Sequence, residues 1–169
     1  MQQAATDKSA ARNETIVERT RDRELVVTRA FDAPAHIVFD AWTKPELLKR
    51  WWAPKSFGVS LFECEQDVRV GGAYRFAFGR DPSAPEVFTG RYIEVKPSSR
   101  LVLTQLYERM GEAGEAVVTA TFEESQGRTL LTLHQLFPSK EALEGALASG
   151  MERGMRVTLD QLEIGRAHV

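Results

Sequence analysis

Cysteine is nearly absent: Cys64 is the single one in 169 residues. An internal disulfide is therefore excluded, and the usage fits a reducing compartment. Histidine is scarce too. His36, His134 and His168 have no partner at metal-ligand spacing, and neither HExxH nor CxxC occurs. Gly71-Gly72 lacks the lysine and the helix that a phosphate loop requires, and no G-x-S-x-G elbow is present. The formal net charge of −2 offers no basic face for nucleic acid. No apolar run approaches the roughly 20 residues that span a bilayer. The opening MQQAATDKSAARNET has no apolar signal-peptide core. These absences predict a cytoplasmic protein without metal or cofactor, and without nucleic-acid or membrane partners. Cys64 itself falls mid-strand, where a free cysteine is most often a small buried hydrophobe.

Tryptophan is also rare, yet all three crowd into Phe31 to Pro54, FDAPAHIVFDAWTKPELLKRWWAP. This stretch reads as two short helices hinged at Lys44-Pro45. Asp32 is the expected N-cap of the first, with Pro34 in its opening turn. Thr43 to Glu46 has the spacing of a capping box for the second. Leu47, Leu48, Trp51 and Trp52 then form one apolar stripe that Ala53-Pro54 ends. Helices this short must lie against something large and apolar.

The length fits one domain with a sizeable core. Residues 1–20 are polar and without period, which predicts a flexible tail, with Ile16 and Val17 a candidate strand start and a single domain over 21–165. Arg23 to Phe31 is the first clear strand. After the helix pair, strands are expected at 59–68, 73–78, 87–95, 101–108, 116–123 and 129–136. Glu63, Glu65 and Asp67 alternate on a face expected to meet water, whereas Tyr74, Phe76 and Phe78 make one strand face wholly aromatic. Short connectors imply an antiparallel meander. The chain ends in a helical region: Ser139 caps a first piece, Ser149-Gly150 weakens it, and Met151, Met155, Leu159 and Leu162 form a narrow stripe beyond. Gly154 inside that helix suggests the close approach of another backbone. The order of elements gives an α+β domain, a curved antiparallel sheet wrapped around a long C-terminal helix, with two short helices after the first strand.

The runs DRELVVTRAFDAPAHIVFDAWTKPELLKRWWAP, DVRVGGAYRF, FTGRYIEVKPSSRL and LFPSKEALEGALASGMERGM occur in this order. Together they resemble the bacterial homologues of the activator of heat-shock ATPase, within the START and birch-pollen-allergen (SRPBCC) superfamily. The likeness covers about Asp22 to Ile164. It implies the helix-grip fold already suggested by element order, and an internal hollow between sheet and long helix. The superfamily serves many functions, so the fold alone decides little.

A hollow of this kind directs attention to Trp42, Trp51, Trp52, Phe57, Tyr74, Phe76, Phe78, Phe88 and Tyr92 as candidate ligand-binding residues. Met151, Met155 and Leu159 are expected opposite them on the helix, and Gln105, with Gln135, on a face shared with Leu103 and Leu133. The leading expectation is binding of a small hydrophobic or amphipathic molecule, as carrier or sensor. One alternative is a cyclase or aromatase type of enzyme, for which only Tyr74, Tyr92 and His134 offer titratable groups. Another is a protein-interaction or co-chaperone-like module, and a homodimer is left open.

Overall fold

The computed structural model describes residues 13–167, and residues 1–12 of the expected tail lie outside them. The first strand, β1 (Ile16–Arg21), runs antiparallel to β2 (Glu24–Phe31), with Val17 opposite Val27. β1 starts within the segment expected as tail, at the Ile16 and Val17 named as a candidate strand start. Its sequence, IVERTR, is almost wholly exposed. Backbone pairing with β2 rather than side-chain burial places it, which is why no alternating pattern marks it.

Two helices follow, α1 (Ala35–Thr43) and α2 (Pro45–Trp51). Their caps differ from expectation. Pro34 occupies the N-cap of α1, and the Ala35 amide donates to the Glu124 carboxylate at 2.8 Å. Asp32 instead accepts from Arg128 at 2.8 Å. Lys44 precedes α2, while the Thr43 hydroxyl bonds back to the Phe39 carbonyl at 2.9 Å, so no capping box forms. The chain then makes a 3-10 turn, Lys55–Phe57, before six strands: β3 (Ser60–Gln66), β4 (Ala73–Gly79), β5 (Glu86–Lys96), β6 (Arg100–Tyr107), β7 (Ala116–Ser125) and β8 (Arg128–Leu136). A second 3-10 segment, Glu108–Ala113, occupies the connection between β6 and β7.

The strands form one antiparallel sheet in the order β1-β2-β8-β7-β6-β5-β4-β3. β3 to β8 are a plain meander, and β2 closes onto β8 with Leu25 opposite Gln135. The curved, unclosed sheet carries α3 (Lys140–Ala148) and the long α4 (Met151–Ala167) beyond its last strand. Ser139 caps α3, accepting from the Ala142 amide at 3.0 Å, as its sequence position predicts. This is the α+β helix-grip arrangement.

Polar ties fix α4 across the sheet. Arg29 on β2 is 4% exposed, and its guanidinium pairs with Asp160 and Glu163 while lying over the Phe31 ring. At the other side, the Gln161 carboxamide donates to the carbonyls of Trp51 and Ala53, each at 2.7 Å, and accepts from the Lys55 amide. Ala53 has φ of 83°, a left-handed conformation that costs a non-glycine residue about 1 kcal/mol. The bonds from Gln161 hold that turn, and with it the adjacent Trp52. Gly154 approaches the Pro54 ring at ordinary contact distance, 4.0 Å from where a Cβ would stand, rather than another backbone.

Candidate ligand cavity

Strands with period-two patterning put alternate side chains on the face turned toward α4. On β4 these are Tyr74, Phe76 and Phe78, and on β5 Phe88 and Tyr92. Cross-strand register sets Phe76 beside Phe88, and the row Tyr92, Leu103, Val118 and Gln135 runs from β5 to β8. From the opposite side come Met151, Met155 and Leu159 of α4, and α1 and α2 supply Trp42 and Trp51. A cavity of about 590 Å³ is left between them. Exposed Met110, Gly114, Ser149 and Gly150 lie on its rim.

Trp52 is the hub of the aromatic wall. Its ring meets Phe76 at 5.3 Å, Phe78 at 5.1 Å and Phe88 at 6.0 Å, all edge to face. The rings of this cluster line the hollow, a surface suited to apolar guests.

Every aromatic, Gln105 and the three α4 residues named from sequence line this cavity, with one exception. Phe57 sits in the 3-10 turn, where the Arg153 guanidinium stacks 5.4 Å from its ring centre. Phe57 thus stacks with Arg153 of α4 and is not on the cavity wall. His134 is on the opposite strand face from Gln135 and lies 3.8 Å from Glu24, away from the cavity. Gln66 and Tyr107, not among the residues expected from sequence, are both on the wall. Strand parity marks each of them: Gln66 is out of phase with outward Glu63 and Glu65, and Tyr107 is in phase with Leu103 and Gln105.

All three tyrosines of the chain line the cavity. The Tyr74 hydroxyl donates to the Thr104 carbonyl at 2.6 Å, and burial holds this phenol well above its ordinary range. The Tyr92 oxygen accepts from Gln66 Nε2 at 2.9 Å, and Gln66 Nε2 also reaches the Trp42 carbonyl. Burial raises Tyr92 to about 12, against a smaller opposing effect of the Gln66 bond. Tyr107 donates to the Glu86 carboxylate at 2.6 Å, and burial together with that bond pushes it up to about 12. Burial likewise lifts the Cys64 thiol to about 11, which leaves it a poor nucleophile.

These phenols hold their protons to higher pH in the folded chain than in the unfolded one, where the ordinary value is 10.0. Their contribution to stability is thus intact below pH 10 and is lost as pH rises from there through about 12. In an alkaline titration, phenolate absorbance and loss of near-ultraviolet circular dichroism should rise together. Ionisation of all three at pH 10 in a still-folded protein would show that they are solvated.

The family model described as "Activator of Hsp90 ATPase homolog 1-like protein" matches residues 32–164. No curated protein matches the chain. Among solved structures, a protein from Rhodobacter sphaeroides is 27% identical with a TM-score of 0.83, over 92% of this chain and 100% of that one. One from Staphylococcus epidermidis is 27% identical with a TM-score of 0.75, over 90% of this chain and 93% of that one. One from Nitrosomonas europaea, at 24% identity and a TM-score of 0.77, covers 89% of this chain and 97% of its own, and shows the shared fold.

Proposed function

Because the chain belongs to the activator of Hsp90 ATPase homolog 1-like family, whose fold here encloses a hollow, we propose that it binds a small hydrophobic or amphipathic molecule in that hollow, as carrier or sensor. One observation carries this reading: the aromatic faces of β4 and β5 and the methionine stripe of α4 stand apart around about 590 Å³ instead of packing together. A close-packed core would leave no such space. Methionine side chains adapt to guests of varied shape, and flat rings on the other wall give dispersion contact.

Met155→Trp fills the hollow from the helix side. The uncharged dye Nile red should bind the parent protein, and its affinity should fall by about tenfold or more in this variant, a loss of about 1.4 kcal/mol. Circular dichroism must show the variant folded. Equal dye affinity in the two folded proteins places the dye elsewhere and removes the support for this reading.

A second reading is a co-chaperone-like role, in which the chain docks on an ATPase of the Hsp90 type. The family description favours it. Its test is the ATPase rate of a bacterial Hsp90-type chaperone with and without this protein. An unchanged rate at saturating concentrations argues against it.

A further inference from the structure

The charge of the cavity wall is one-sided. Among the described residues no lysine, arginine or histidine lines it, and Glu86 is its one carboxylate. Glu86 already accepts from Tyr107 and Arg109, so its charge is matched from the rim, where Arg109 is largely exposed. A guest carboxylate inside would find no cation to replace its lost hydration. Burial of an unpaired charge is strongly unfavourable, whereas burial of a neutral polar group requires only a hydrogen bond.

The wall offers such bonds. Gln135 is 7% exposed, and its Oε1 accepts no hydrogen bond from the described residues. The Trp42 indole Nε1–H, buried although the residue itself is only partly so, donates to none of them. Buried polar atoms are otherwise almost always satisfied in folded proteins. Here an unmatched acceptor and an unmatched donor belong to two residues that both line the same hollow. The Gln105 carboxamide adds a further neutral polar group on β6.

We propose that the cavity takes an uncharged amphipathic molecule, whose carboxamide or hydroxyl group donates to the Gln135 carboxamide oxygen, and that it rejects the carboxylate of the same shape. This rests on the reading of the hollow as a ligand site and adds the chemical class of its guest.

Two matched pairs of probes test it: decanamide against decanoate, and 2-naphthamide against 2-naphthoate, each displacing Nile red at pH 8. Within a pair, size and apolar area are nearly constant and charge changes. The amide should displace dye at about a tenfold or greater lower concentration than the acid anion. Gln135→Leu removes the amide group at nearly constant volume and should fold, with a raised melting temperature because an unmatched buried carbonyl is gone. In that variant amide affinity should fall about tenfold, and the preference for amide over anion should shrink with it. Equal displacement by amide and anion overturns the proposal, as does full amide affinity in Gln135→Leu or failure of both amides to displace bound dye. In those cases the cavity reading stands so long as Met155→Trp still blocks the dye. Persistence of dye binding in Met155→Trp overturns that reading, and this proposal with it.

Discussion

Truncating Trp51 to alanine should lower stability by about 3–5 kcal/mol, the range for large aromatics removed from a core. Trp51 is 2% exposed, and its ring centre lies 5.0 Å from that of Trp42. Its indole N–H donates to the Ala41 carbonyl at 2.9 Å, which ties the end of α2 to α1. The substitution thus opens a large void and strips a buried carbonyl of its donor, and the two losses add at one place. Both helices are too short to hold themselves, so they should loosen together. Urea denaturation with a constant m-value would give the figure. A loss below about 1 kcal/mol would mean that the helix pair is not anchored through this ring.

Gly90→Ala should be at least as damaging, for a reason that involves no burial of the new methyl group. A Cβ at position 90 would stand 2.0 Å from the Thr104 carbonyl oxygen and 2.6–2.7 Å from the Tyr74 ring and hydroxyl. Gly90 is opposite Tyr74 in the β4–β5 register, and the Tyr74 phenol crosses over it to reach Thr104 on β6. The added methyl would have to push neighbouring strands away from each other or expel the ring, at a cost of about 3 kcal/mol or more. Gly145→Ala is the control. A Cβ there meets nothing within 4 Å, and the site is helical. This variant should be neutral or stabilised by up to about 1 kcal/mol. Thermal melting of both variants separates the cases, and a Gly90→Ala protein as stable as its parent would contradict the close approach.

What could be read from the sequence follows from period and order. Tyr74, Phe76 and Phe78 at spacing two, and Met151, Met155 and Leu159 at spacing four, each select one face of one element. A meander with a terminal helix leaves those faces little choice but to meet, and they do. The features that escaped are those set by distant chain. Asp32 has every local qualification for an N-cap, but Arg128 draws its carboxylate away and Glu124, far along the sequence, serves the helix amide instead. The sequence marks the start of β1 at Ile16 and Val17 but not its extent to Arg21, because its partner rather than alternation positions it. Phe57 looked like one more member of an aromatic cluster. Only the fold shows that it stacks with Arg153 of α4 and is not on the cavity wall. The unmatched atoms of Trp42 and Gln135 have no sequence signal at all, since satisfaction of a polar group depends on every neighbour.

An open sheet has two borders, and among the described residues they are β1 and β3. Each leaves one row of backbone donors and acceptors that another chain could extend into a continuous ribbon. The β3 border resists this by repulsion. A second copy laid antiparallel over the whole of Ser60–Gln66 would set Glu63 directly across from Glu63, and like charges so placed drive strands apart. The β1 border is short, and its register slips between Arg19 and Arg21, so it gives a neighbour no straight template. The incomplete closure of the sheet thus carries its own protection against strand-to-strand aggregation.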